Sequence, residues 1–386
     1  MAKRGQGEGT ISKRPDGTWW ARITVGRTPD GKQKRKAFYG KSRKEVQEKL
    51  TAALNDINKD NYIDPSKMTL EQWLTIWMRD YRAQYVKPET YVNNESCIRK
   101  HIIPVLGKVA LKDIRRDMPQ KIITDMVAEG YGHSRISDVY LVLHMALNVA
   151  VDNGLITKSP AERLKLPPKK KQEARVLTVE EQEKVIEKLR ESTSGDYLEL
   201  ILYTGLRIGE VLALTWDDID FEEKMLSVNK SLSKWIILPD GSRKLQKGFG
   251  TPKSKSGFRK IPLIPEAIAL LKNAQEKQKQ KLMVSGSENI SNLVFCSVSG
   301  KFIDRGDAYG VLKRACKKAE ISGVHHHTLR HTFATRGLER GIPLKIMQEI
   351  LGHSTISMTA DIYTHVLPDT KINSMMKLSV ANDKNS

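Results

Sequence analysis

Five side chains in the second half of this chain could together break a phosphodiester: Arg207, His327, Arg330, His353 and Tyr363. Arginine's planar fork grips two non-bridging phosphate oxygens at once and stays charged at any working pH. Histidine donates or accepts a proton near neutrality. A tyrosine hydroxyl can act as a covalent nucleophile. Two arginines, two histidines and one tyrosine in that order suit attack by the tyrosine oxygen on phosphorus. The arginines would neutralise the charge that builds in the pentavalent transition state. An unperturbed phenol titrates at about 10, so a nearby histidine must take its proton.

Each of these groups needs an element to hold it. Arg207 follows Gly205 in TGLRIGE and precedes the apolar run IGEVLAL, which predicts a helix start. There, backbone N–H groups and the helix dipole favour an anion. Alone, such an arginine reads as a surface charge. Glu210, one turn on, faces the same side, either holding Arg207 or a histidine or forming a structural salt bridge. His327 and Arg330, three apart in HTLRH, share one helix face. LGH at 351–353 ends a helix begun near Pro343, with Gly352 as its stop. Alone, His353 reads as a satisfied surface histidine.

Other chemistry-bearing residues read more plainly. Tyr203 and Tyr309 sit in apolar helical contexts and read as core. His325 and His326 precede His327, but three consecutive histidines diverge on any regular backbone, and no cysteine or carboxylate spacing supports a metal there. WDDID at 216–220 gathers three carboxylates that could hold magnesium in a nuclease. It is taken instead as a solvated turn before a strand, so no metal site and no cofactor are expected.

The chain has 386 residues and a formal charge of +20, room for two or three domains and a polyanionic partner. No apolar run is long enough to span a membrane, and nothing at the start resembles a signal peptide. Three scattered cysteines, Cys97, Cys296 and Cys316, make neither a disulfide framework nor a zinc site, which fits a reducing cytoplasm.

Residues 1–60 read as a small sheet and a helix. TWWARITV and QKRKAFYG are strand-like, PDG between them is a turn signal, and Ser42 opens a helix through Leu54. Residues 1–52 carry 14 lysines and arginines against 5 acids, with Trp19, Trp20 and Tyr39 interleaved. Arg22, Lys34, Arg35 and Lys36 are the candidate DNA contacts of this sheet. Residues 65–166 are expected to be helical, with a capping box at Thr69 and Gln72 and Pro88 in the first turn of a second helix. From Ser134 to Asn153 a stripe of Ile136, Val139, Tyr140, Leu143, Leu147 and Ala150 reads as core. Residues 167–175 form a basic linker in which Lys169, Lys170 and Lys171 could track phosphates. Thr178 and Glu181 cap the first helix of the last domain, 176–370, which adds strands at MLSVNKS, RKIPLI and LVFCS; residues 371–386 form a tail.

In TGLRIGE, HTLRH and LGHSTISMTADIYTHV the chain resembles the tyrosine recombinases of the phage integrase family. Among these it is most similar to integrases of Gram-positive phages and conjugative transposons. The resemblance implies an α+β multidomain fold. Its parts would be a three-stranded arm-binding sheet with a helix, a helical core-binding bundle, and a mainly α catalytic domain with a small antiparallel sheet. It assigns the chemistry to Arg207, His327, Arg330, His353 and Tyr363. A lysine on a β-hairpin protonates the leaving 5′ oxygen in the family. Lys253 and Lys255 are the candidates here, and the preceding TPK favours Lys253. The implied activity is site-specific recombination through a 3′-phosphotyrosyl link, without metal or ATP, by a homotetramer on two DNA duplexes. It leaves room for an accessory directionality factor or a host DNA-bending protein. The tail, with Met375, Met376 and Leu378, is expected to pack on a neighbouring protomer. Rivals are a type IB topoisomerase and a non-catalytic DNA-binding regulator of the same fold.

Overall fold

The computed structural model describes residues 10–363, apart from 16, 28–32, 59–66, 170–173, 239–241 and 253. Its contacts divide into two units, one of residues 1–81 and 94–167, the other of 82–93 and 168–386. The later boundary falls between the two prolines of LPPKKKQEAR.

In the first unit β1 (Thr10–Lys13), β2 (Trp19–Arg27) and β3 (Gln33–Gly40) form an antiparallel sheet in chain order. Helix α1 (Arg43–Asn58) follows it; Ser42 Oγ accepts from the Glu45 N–H at 3.2 Å and opens the helix. Side chains alternate across β2. Ala21 and Ile23 pack with Val46 and Leu50 of α1 in a small core, with Trp19 against it. The other face carries Trp20 and Arg22. The Arg22 guanidinium lies 4.9 Å from the Trp20 ring, and that of Arg14 lies 4.9 Å from the ring of Tyr39. Trp20 and Tyr39 are register partners, so cations and aromatics form one strip on the face opposite α1. The side chains of Lys34, Arg35 and Lys36 lie outside the described residues.

The helices of this unit are α2 (Leu70–Trp77), α3 (Pro88–Cys97), whose first part groups with the second unit, α4 (Ile103–Leu106), α5 (Asp117–Ala128) and α6 (His133–Asp152). The Thr69–Gln72 capping box is present in both directions. On α6 the expected stripe is buried, widened by Val142 and Ala146 because helices cover it from two sides. Tyr140 stays half-buried, stacked on His144 with ring centroids 5.4 Å apart. Trp73 Nε1 donates to Ala146 O at 2.8 Å within the core.

The second unit opens with α7 (Val179–Arg190), capped by Thr178 and Glu181, then α8 (Asp196–Thr204) and the single turn α9 (Ile208–Val211). Strands β4 (Ile219–Asp220), β5 (Met225–Val228) and β8 (Arg259–Pro262) form one antiparallel sheet, while β6 (Ser231–Ile237) and β7 (Arg243–Gly250) pair as a separate ribbon. Helices α10 (Pro265–Ser285), α11 (Arg305–Lys318), α12 (His326–Glu339), α13 (Leu344–Leu351) and α14 (Ser357–Tyr363) complete it. Leu198, Leu200, Leu212, Leu271, Leu312 and Leu329 lie in its main core.

Four expectations need correction here. LVFCS is not a strand: Leu293 and Cys296 make only isolated bridges, to Thr215 and Phe302. WDDID turns over Trp216–Asp218 and enters β4 at Ile219, but Asp218 is buried and accepts from Thr215, Asn229 and Lys230, so it is a structural carboxylate rather than a solvated one. Tyr309 is exposed and stacks on His325 rather than entering the core. The turn Lys255–Gly257, which carries Lys255, is not a β-hairpin turn, and position 253 lies outside the described residues. That turn lies between β7 and β8, which belong to different sheets.

Candidate active site

The geometry of the site starts from the end of α13. The last carbonyls of any helix lack partners within it. Here Ile350 O, Leu351 O and Gly352 O accept from Arg259 Nε at 2.6 Å, Arg330 Nη2 at 2.5 Å and Arg207 Nη2 at 3.1 Å. Cations at a helix C-terminus also meet the negative end of its dipole. Gly352 ends α13 in the left-handed region at φ 65°, and an added Cβ would come 2.7 Å from Ser256 O. Only glycine permits both the turn and this approach.

Arg207 sits at the N-cap of α9. A single-turn helix contributes little dipole, so its anion affinity rests on the guanidinium itself. Glu210 holds Arg207 twice: Oε1 accepts from Nη1 at 2.9 Å and Oε2 from the backbone N–H at 3.0 Å. The sequence left Glu210 between support for Arg207, support for a histidine, and a plain salt bridge; the structure gives a buried ion pair with Arg207. It is shared with a residue the sequence reading passed over, Arg259, whose Nη2 donates to Oε2 at 2.9 Å. RKIPLI has a strand pattern, and no local signal marks its arginine. Burial raises the Glu210 carboxyl, but Arg259 and then Arg207 outweigh it and hold it below the usual carboxylate range.

Arg330 is buried. Its Nη1 donates to Gly205 O at 2.6 Å, so both arms of its fork are fixed by backbone. Burial, and then Arg207, push its guanidinium down to about 9, and it stays charged at neutrality. Gly205 ends α8 at φ 65°, and a Cβ there would meet Phe333 Cδ1 at 2.4 Å.

His327 is exposed at the start of α12 while Arg330 is buried, so the shared face points from solvent into the site. His327 and His331 have ring centroids 6.2 Å apart. Burial, and then His327, push His331 down to about 4. His353 is buried rather than on the surface. Its Nδ1 lies 2.9 Å from Thr359 Oγ1, a partner on α14 that the sequence reading missed. Burial, and then Arg330 and Arg207, push its imidazole down to about 3, so it is neutral at working pH.

Tyr363 is the last residue of α14, which packs on α12 and α13; its side chain lies outside the described residues, as do Lys253, Lys170 and Lys171. Lys255 is exposed in a 3-10 turn, Lys255–Gly257. Lys87 Nζ donates to Pro252 O at 2.6 Å, beside position 253. Lys169 is exposed. Among the described residues no group of His, Cys, Asp and Glu could hold a metal, and no helix is long and apolar enough to cross a membrane. Cys97, Cys296 and Cys316 are free and buried.

Two arginines seated on backbone carbonyls, a neutral buried histidine and a helix that ends in a tyrosine come together here, groups whose chemistry suits phosphoryl transfer. Residues 175–369 match the model of the phage integrase family, and residues 69–127 match the phage integrase N-terminal SAM-like domain. A tyrosine recombinase XerC-like protein of Caldanaerobacter subterraneus is 33% identical over 92% of this chain and 94% of its own. The transposase of transposon Tn916 from Enterococcus faecalis is 26% identical over 93% and 87%. In solved structures, the Tn1549 transposon integrase in complex with transposon right end DNA superposes with a TM-score of 0.67 at 25% identity, covering 81% of this chain and 99% of that one. The chain belongs to the phage integrase family.

Proposed function

We propose that this site-specific DNA recombinase of a mobile element works through Tyr363. Its hydroxyl oxygen attacks the scissile phosphorus while a histidine of the site takes the phenolic proton. The bond from phosphorus to the 5′ oxygen breaks as a lysine protonates that oxygen. The products are a 3′-phosphotyrosyl link and a free 5′ hydroxyl. The 5′ hydroxyl of a partner strand then attacks the link in reverse and releases the tyrosine. Because the phosphodiester's bond energy is kept in the phosphotyrosine, neither ATP nor metal is needed.

Arg207 and Arg330 take the non-bridging oxygens. His327 and His353 serve proton transfer and positioning, Glu210 holds Arg207, and Lys253 is the general acid, with Lys255 the alternative. One observation carries this reading: Arg207 and Arg330 are seated on the carbonyls of Gly352 and Leu351, directly before His353. Exchange between two duplexes requires four strand cleavages, hence four tyrosines and a homotetramer. Residues 1–60 would bind distal arm sites through Arg22, Lys34, Arg35 and Lys36, residues 65–166 the core site, and Lys169, Lys170 and Lys171 the intervening phosphates. The catalytic part is 176–370, and 371–386 would pack on a neighbour. The enzyme acts in the bacterial cytoplasm, on the nucleoid. A type IB topoisomerase shares the chemistry, but the basic aromatic strip on the N-terminal sheet favours an enzyme that bridges two DNA sites.

The test is a denaturing gel for protein covalently bound to a nicked attachment-site substrate. Tyr363→Phe is expected to abolish the adduct and leave DNA affinity nearly unchanged. An adduct in that variant would move the nucleophile to another tyrosine.

A further inference from the structure

We propose that Arg259 is a positioning residue for the phosphate clamp: by sharing the charge of Glu210 it leaves Arg207 available to the substrate. The proposal rests on reading Arg207 as a clamp. Arg259 begins β8, directly after the turn that carries Lys255, and its side chain is only 6% exposed. Its five N–H donors are largely spent inside the protein. Nη2 serves Glu210 Oε2 at 2.9 Å, Nη1 serves Gly257 O at 3.0 Å and approaches Glu210 Oε1 at 3.4 Å, and Nε serves Ile350 O at 2.6 Å. A group so occupied has little left for a phosphate. Arg207 has a side chain 27% exposed, and among the described residues its guanidinium ties Nη1 and Nη2, once each, to Glu210 and Gly352 O.

Charge explains why both are needed. Three guanidiniums against one carboxylate leave the cluster of Arg207, Arg259, Arg330 and Glu210 at +2. A phosphodiester attacked by a tyrosinate passes through a phosphorane carrying two negative charges, which that excess matches. Remove Arg259, and Glu210 keeps only Arg207 as an ion-pair partner among the described residues. A buried carboxylate cannot stay half-paired, so it would close on Arg207 with both oxygens. That draws the fork away from the substrate and halves the excess charge. Arg259 also joins the lysine-bearing turn, through Gly257 O, to the end of α13, through Ile350 O. Gly352 keeps that space clear, since a Cβ there would lie 3.1 Å from Arg259 Cδ and Nη1.

The experiment compares full-length protein on two suicide substrates. One carries the natural scissile phosphate. The other carries a methylphosphonate, in which an uncharged methyl replaces one non-bridging oxygen and the transition state has one negative charge fewer. Arg259→Met is expected to slow covalent-complex formation on phosphate by about 10²-fold, the usual cost of one preorganised donor, because Arg207 is drawn off the phosphate. On methylphosphonate its rate should stay within several-fold of the parent's. Adding Glu210→Gln to Arg259→Met should restore part of the phosphate rate, because the carboxylate that captures Arg207 is gone. Arg259→Lys keeps the charge and should fall between parent and Arg259→Met. If Arg259→Met does not fold, Arg259→Gln replaces it with the same expected selectivity. Equal loss on both substrates, or no recovery in the double variant, overturns the proposal. Arg207→Met is run alongside. Absence of phosphate selectivity there would refute the clamp reading itself, whereas selectivity in Arg207→Met but not in the Arg259 variant would refute the role of Arg259 alone.

Discussion

Replacing Arg330 by lysine should damage stability and chemistry separately, and by amounts the structure allows to be estimated. Arg330 is 3% exposed, and its two terminal nitrogens hold carbonyls from different parts of the chain, Gly205 O and Leu351 O. A lysine keeps the charge but has one nitrogen at the end of a flexible stem, which cannot span the two. One buried carbonyl is left unpaired, at a cost of about 1–3 kcal/mol. For a unit of this size each kcal/mol lowers the melting temperature by about 2–4 °C, so a drop of roughly 2–12 °C is expected. In the role proposed for Arg330 on the scissile phosphate catalysis loses more, because a single ammonium does not reproduce the donors of a guanidinium and removing one such donor costs about 10²–10³ in rate. Melting is followed by scanning fluorimetry, and cleavage by covalent complex on a suicide substrate at saturating protein, with DNA affinity measured in parallel. Affinity should change little, because most of it comes from phosphates elsewhere on the duplex. Near-parental melting would show that the two carbonyls do not depend on Arg330. Cleavage within a few-fold of the parent would remove Arg330 from the phosphate.

Thr359→Val should cost about 1 kcal/mol and slow cleavage about tenfold, since it deletes the hydroxyl that orients His353; a parental rate would show that the ring is fixed without it. Stability should fall with acidity. His353 at about 3 and His331 at about 4 both lie below their ordinary 6.5. Above 6.5 folded and unfolded states are alike neutral, whereas below it only the unfolded state takes the protons. The loss then approaches about 1.4 kcal/mol per pH unit per histidine until the folded values are reached. A melting temperature that is flat from pH 7 to 5 would contradict this. If Lys253 is the general acid, Lys253→Ala should be slow on ordinary DNA but rescued when sulfur replaces the leaving 5′ oxygen, while Lys255→Ala shows a milder defect on both. Rescue confined to Lys255→Ala would transfer the role to that residue. Deleting residues 1–60 should spare cleavage of core-site DNA and impair recombination that uses distal sites; a truncated protein fully competent in recombination would refute the separate role of the basic sheet.

Much of the architecture was legible without coordinates because its signals are local. A capping box closes within three residues, so Thr69 with Gln72 and Thr178 with Glu181 announce their helices directly. A glycine that ends a helix, such as Gly352, does the same, and the stripe on α6 repeats at the helical period. Local signals have a short reach, and the misreadings lie beyond it. LVFCS has the composition of a strand but finds no adjacent strand to complete a ladder. Asp218 looks like a solvated turn residue until Lys230, twelve positions away, folds onto it. Tyr309 has apolar neighbours in sequence, yet its ring faces His325.

Sequence alone determined which side chains could do the chemistry and the order in which the chain supplies them, because side-chain identity and helix periodicity are properties of the chain itself. Tertiary structure decided how they are held. The arginines are fixed by backbone carbonyls and a buried carboxylate brought together from positions 21, 49, 125 and 145 residues apart. A backbone carbonyl carries no mark in the sequence. Only when α13 ends against the strand of Arg259 and the turn of Gly205 do its unpaired carbonyls become the seat of the site.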